Sequence, residues 1–179
     1  MSILIFINIL LFITGIIVLL LVVAMFIKKE YTIKREIVIN KPKNVVFDYI
    51  RLLKNQEQFS KWVMTDPNMK KNLKGTDGTV GFTYAWDSEN KQAGKGEQEI
   101  VKIIDGQLLD VEVRFERPFK STAKTPFTTV AVSENQTKII WGMDGNSNYP
   151  MNLMNPFMDG LLGKDLETSL NMLKNILEK

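Results

Sequence analysis

Residues Ile3 to Ile27 carry no charged side chain, and Lys28-Lys29 follow directly. As an α-helix, such a run extends about 37 Å at 1.5 Å per residue, enough to cross a hydrocarbon layer of about 30 Å with some tilt. The periodicity then shortens. Tyr31, Ile33, Arg35, Ile37 and Ile39 share one parity and predict a strand. Asn40-Lys41-Pro42 predicts a helix start, with Asn40 or Lys41 as cap and Pro42 in the first turn. Val46, Tyr49, Ile50 and Leu53 recur at helical spacing, so an amphipathic helix is predicted over 42–53. Phe59, Trp62 and Val63 predict a second short helix that ends before Asp66-Pro67.

The middle of the chain alternates with period two. Val80, Phe82, Tyr84 and Trp86 predict a strand from about Gly78, and Glu97 to Ile104 a second one ended by the turn signal Asp105-Gly106. Leu109, Val111, Val113 and Phe115 alternate against Asp110, Glu112, Arg114 and Glu116 in a half-buried strand. Strands over Phe127 to Ser133 and Thr137 to Met143 follow. Leu162, Leu166, Leu170, Leu173, Ile176 and Leu177 then form the apolar stripe of a long last helix, approached through Gly160 and Gly163. The Asn-, Met- and Pro-rich stretch before it predicts a short helix around Asn152–Met158.

Strands at short spacing without intervening helices imply an antiparallel sheet. The order is strand, helix, short helix, five or six antiparallel strands and a terminal helix, an α+β arrangement in which the helix stripe covers the apolar sheet face. A curved sheet wrapped on one helix encloses a space between them. The expected organisation is a transmembrane anchor over 1–29 and one domain over 30–179.

For the first segment the rival is a cleaved signal peptide, which needs a basic start, a shorter apolar core and a small-residue cleavage site. No Lys or Arg precedes Ile3, and Val22-Val23-Ala24-Met25-Phe26 lacks such a site. A retained anchor is therefore expected. Lys28, Lys29, Lys34, Arg35, Lys41 and Lys43 follow the span, which predicts a single-pass cell-membrane protein with its domain on the cytoplasmic side.

Composition narrows the chemistry. The net charge is +3, and no basic block interleaved with aromatics suggests nucleic-acid binding. The chain has no cysteine and no histidine, which removes Cys-His and Ser-His-Asp nucleophiles, Cys/His zinc sites and the usual haem ligands. No metal site, cofactor or catalytic residue is assigned. Asp66, Glu97, Glu99, Asp110, Glu112 and Asp144 lie near strands; the same-parity pairs Glu97/Glu99 and Asp110/Glu112 alternate with apolar or uncharged residues, which solvated outer faces explain.

Several motifs resemble the START-like helix-grip superfamily (SRPBCC, polyketide cyclase/dehydrase), closest to its membrane-anchored bacterial branch. They are Ile37 to Ile50, Trp62 to Pro67, Lys74 to Trp86, Gly94 to Ile100 and Gly163 to Lys174. The resemblance implies a curved antiparallel sheet around a long C-terminal helix, preceded here by one transmembrane helix, with a hydrophobic cavity between sheet and helix. It implies no particular reaction. Trp62, Phe82, Tyr84, Trp86, Phe115, Trp141, Met143, Phe157 and Met158 are the candidate cavity residues, since aromatics and methionines offer large, adaptable apolar area. The same residues would equally fill a core. Phe157 and Met158 enter because the long segment before Gly160 suggests a lid. The expected function is non-catalytic binding of a hydrophobic small molecule or lipid. The rivals are a cyclase- or hydrolase-like enzyme on an apolar substrate, resting on a buried carboxylate or on Tyr84 to donate a proton or orient a carbonyl, and an interaction module with a filled core.

Overall fold

Alternating apolar positions build one antiparallel sheet, and the leucine stripe of the last helix closes over it. The structure, a computed structural model, describes residues 3–179. Helix α1 (Ile3–Phe26) precedes strand β1 (Glu30–Ile39), and α2 (Lys43–Arg51) leads through a 3-10 turn (Leu53–Asn55) into two one-turn helices, α3 (Gln56–Phe59) and α4 (Lys61–Met64). Seven strands follow: β2 (Lys70–Lys74), β3 (Thr83–Asp87), β4 (Lys95–Ile104), β5 (Leu108–Arg117), β6 (Ser121–Lys124), β7 (Phe127–Ser133) and β8 (Gln136–Asn146). A second 3-10 turn (Met151–Met154) runs directly into α5 (Asn155–Leu177).

The strand order is β1-β8-β6-β5-β4-β3-β2, and β7 also lies between β5 and β8. Strands β6 and β7 are two halves of one interrupted strand. Pro126 has no N–H to give the ladder; beside it, the Thr125 N–H donates to the Val111 carbonyl (2.7 Å) and the Gly142 N–H to the Pro126 carbonyl (2.9 Å). Leu166, Leu170 and Leu173 of α5 are buried in one core with Ile33 and Ile39 of β1, Val46, Phe47 and Ile50 of α2, and Leu109 and Val111 of β5.

The elements depart from expectation where the sequence pattern was ambiguous. The strand expected from Gly78 begins only at Thr83; the Phe82 N–H donates to Thr79 in a turn, and Val80 is exposed. Strand β2 had no apolar alternation to reveal it, because all five of its residues are exposed at the sheet edge. Helix α2 starts at Lys43 with Pro42 at the cap and no side-chain cap; the Asn40 side chain instead accepts from Gln136 Nε2 (2.8 Å). The short helix expected around Asn152–Met158 and the long last helix are continuous from Asn155, and α5 runs through Gly160 and Gly163. Gly163 is buried against Arg35, whose guanidinium also pairs with Asp159.

Helix α1 is long and apolar enough to cross a membrane, and Ala24 is its one buried residue. The carbonyls at a helix C-terminus lack partners within the helix. Here Asn152 Nδ2 donates to the carbonyls of Ala24 (2.6 Å) and Ile27 (2.7 Å). Asn155 Nδ2 donates to those of Lys28 (2.9 Å) and Lys29 (2.8 Å). One asparagine in the second 3-10 turn and one at the first residue of α5 thus bind the end of α1 and the segment leading to β1.

Candidate functional site

The inward face of the sheet is set by register. Tyr84, Gln98, Val113, Ala123, Gly145 and Tyr31 follow one another across β3, β4, β5, β6, β8 and β1. In the next row Trp86 opposes Gly96. A Cβ at Gly96 would lie 2.8 Å from the Trp86 ring and 2.6 Å from the Arg114 carbonyl, so glycine lets the indole lie flat on β4. Gly145 does the same for Tyr31, whose ring occupies the space a side chain there would need. Trp86 is further fixed by its Nε1–H to the Ala93 carbonyl (2.9 Å) and edge-on packing against Phe115.

Helices α3 and α4 and the early part of α5 roof this surface. The Lys61 N–H donates to Ser169 Oγ (3.0 Å), Trp62 Nε1–H to Asp165 (3.1 Å), and Lys61 also pairs with Asp165. Between roof and sheet lies a cavity of about 250 Å³. Its wall includes Tyr31, Trp62, Val63, Met69, Tyr84, Trp86, Val113, Phe115, Trp141, Met143 and Leu162, with Gln56, Ser60, Gln92, Gln98 and Thr125 as its polar side chains. An engineered apolar cavity of about 150 Å³ takes up benzene, so this space admits a somewhat larger molecule.

Of the nine residues singled out in the sequence, Trp62, Tyr84, Trp86, Phe115, Trp141 and Met143 line this space. Phe82, Phe157 and Met158 do not. Phe82 sits at the turn before β3 and is buried in the core cluster. Phe157 points to solvent at 62% exposure, and Met158 packs half-buried against the core. Both belong to α5, so the part of the expected lid segment from Asn155 on forms the first turns of that helix. Trp141 anchors the floor: it stacks on Phe127 (centroids 4.4 Å apart) and meets Trp62 and Phe59 edge-on (5.8 and 5.9 Å). Its Nε1 is buried without a hydrogen-bond partner among the described residues.

Gln56, Gln98, Ser60 and Thr125 were missed because a polar residue at a buried position leaves no trace in an apolar pattern. Gln98 carried a weak signal, since it shares the parity of the buried Ile100 on β4.

Tyr84 bears on catalysis. Its ring lines the cavity, but its hydroxyl donates to Glu57 Oε1 (2.9 Å), and Glu57 also pairs with Lys71 (2.8 Å). Burial, then the hydrogen bond and charge of Glu57, push the Tyr84 phenol far above its ordinary value, so it stays protonated. Burial acts to raise Glu57, yet the hydrogen bonds from Lys71 and Tyr84 outweigh it and hold the carboxyl below the usual glutamate value. Among the described residues, no carboxylate lines the cavity. Glu97, Glu99 and Glu112 instead surround Arg114 at 2.8, 2.6 and 2.6 Å. Asp66 accepts from the Ser88 hydroxyl and Asp144 from the Thr32 hydroxyl (2.7 Å).

With this geometry in hand, known structures decide the fold. Norcoclaurine synthase from Thalictrum flavum, in complex with dopamine and hydroxybenzaldehyde, superposes with a TM-score of 0.63 at 9% identity, over 83% of this chain and 86% of that one. The fold is a helix grip. A structural-genomics protein from Chromobacterium violaceum matches at TM-score 0.59 and 14% identity, over 83% of this chain and 97% of its own. The Aha1 dimer from Colwellia psychrerythraea matches at 0.55 and 16%, over 82% and 96%. No protein-family model matches the chain, and no curated protein matches it in sequence. At these identities the helix-grip likeness speaks for architecture, and the function rests on the cavity itself.

Proposed function

We propose that this protein is a membrane-anchored helix-grip domain that binds a hydrophobic small molecule without transforming it. The observation that carries the reading is the cavity of about 250 Å³ whose wall is mainly aromatic and aliphatic and, among the described residues, bears no charged side chain. Small-molecule sites are concave, largely apolar and furnished with few polar groups, and this one has that make-up. The norcoclaurine synthase structure, with two aromatic molecules bound, supports the idea that a helix grip accommodates ring-bearing ligands. The full-length chain extracted in mild detergent and examined by native mass spectrometry is expected to carry a co-purified apolar molecule that denaturation releases. A protein that emerges at its bare mass and takes up no apolar probe overturns the reading.

The membrane half of the proposal rests on α1 and on a second surface. Met154, at the cap of α5, and Phe157 and Leu161 within it are 42%, 62% and 56% exposed and follow one another at helical spacing. Tyr149 and Met151, just before them, are also largely exposed. Exposed apolar patches mark contacts with partners or lipid, and the asparagine bridges to α1 put this one beside the end of the apolar helix. The reading assigns it to the lipid interface, with the domain on the cytoplasmic side as the basic residues after the span suggest. A C-terminal reporter active only in the cytoplasm is expected to be active, and a silent reporter with an active exported counterpart reverses the topology.

A further inference from the structure

Resting on the cavity-binding reading, we infer that the ligand is an uncharged amphipath of about two rings or less, whose one polar group is held by Gln56 and Gln98. Both glutamines line the cavity and both are only 5% exposed. No hydrogen bond from another described residue engages either side-chain amide, and neither amide is sealed from solvent, so each is free to bond water or a guest in the cavity. Two other polar groups at the wall are already engaged within the protein, whereas Trp141 Nε1 is not. The Thr125 hydroxyl donates to the Val111 carbonyl, and the Tyr84 hydroxyl to Glu57. Two amides with spare donors and spare acceptors, facing a common space, are complementary to a hydroxyl, carbonyl or amide on a guest.

The same wall argues against an ion. A charged guest would leave water for a cavity without a countercharge, a transfer that costs far more than burying a neutral polar group. Size argues against a whole membrane lipid, because about 250 Å³ exceeds the benzene-sized cavity of about 150 Å³ by less than a factor of two. Gln98 occupies the inward row between Tyr84 and Val113, so it contacts a guest lying on the centre of the sheet, while Gln56 reaches it from the first turn of α3.

The chain supplies its own reporter: all three tryptophans, Trp62, Trp86 and Trp141, line the cavity. Tryptophan fluorescence of the full-length protein in one fixed detergent concentration is titrated with p-cymene, thymol and 4-isopropylbenzoate, which share a framework and differ in polar group. Thymol is expected to bind about tenfold more tightly than either of the others, a factor matching one or two net hydrogen bonds. Gln56→Met and Gln98→Met, near in volume to the wild type, are each expected to cut the thymol preference severalfold while leaving p-cymene binding unchanged or improved. If p-cymene equals thymol in the wild type and the substitutions do nothing, water alone satisfies the amides and the inference falls while the cavity reading stands. A preference for the carboxylate overturns it as well. If none of the three binds, the cavity reading itself fails. Should either variant not fold, the wild-type preference among the three probes decides alone.

Discussion

At the scale of single residues, close approach and hydrogen bonding shape the cavity. Gly145 yields its side-chain space to Tyr31. Gly145→Ala is therefore expected to drive the Tyr31 ring toward the cavity and weaken apolar-probe binding by about tenfold or more, because close-packed interiors cannot absorb the displaced volume; fluorescence titration measures it. Tyr84 and Glu57 give a pH test. A carboxyl held below its ordinary value of 4.5 stabilises the folded state above that pH, and this contribution is lost on acidification through the lowered folded value. Tyr84→Phe removes one of the two hydrogen bonds that lower it. The Glu57 carboxyl, followed by NMR, is expected to titrate at higher pH in the variant. The gap in melting temperature between variant and wild type should be wider at neutral pH than below the glutamate range. These residues were unevenly legible. Trp62, Tyr84, Trp86, Phe115, Trp141 and Met143 stood out by parity and size, whereas Gln56, Gln98 and Glu57 are polar groups whose placement only the fold reveals.

At the scale of elements, packing explains both what the sequence shows and what it hides. Strands β5 and β8 bury one face and solvate the other, so alternation announces them. Strand β2, Lys70–Lys74, pairs only with β3 and exposes every side chain, so nothing in its sequence marks a strand. Its lysines suit a sheet edge, where charge discourages pairing with another chain. Helix α5 begins earlier than its leucine stripe because its first turns bury little and are held by Arg35–Asp159 and the asparagine bridges rather than by apolar contact. Its later turns depend on that stripe. Leu166→Ala, at a fully buried position, is expected to destabilise the domain by about 2–5 kcal/mol through the cavity it leaves. Chemical denaturation of the detergent-solubilised chain reads the loss, and a change below about 1 kcal/mol would mean that α5 does not carry the core in this way.

At the scale of the whole molecule, the joint between α1 and the domain is the informative feature. It was legible only in part: the apolar run predicted the helix, but nothing in the sequence predicted that Asn152 and Asn155, over a hundred residues away, would hold its end. Asn152→Ala is expected to loosen this joint. The chain has no cysteine of its own, so a label pair can be introduced on α1 and on the exposed face of α5 without background. Pulsed dipolar spectroscopy should then show a broader distance distribution in the variant, and an unchanged one would mean that the bridges do not set the orientation.

The tied joint has an orientational consequence. A domain on a slack linker tumbles freely, and its encounter with a nearby surface is governed by the length of the tether. Here the carbonyls of four residues around the junction, Ala24, Ile27, Lys28 and Lys29, are bonded to Asn152 and Asn155. With those bonds made, α1 and the domain share one orientation instead of moving on a slack tether. On the proposed membrane anchoring, one side of the grip then keeps a fixed heading relative to the bilayer.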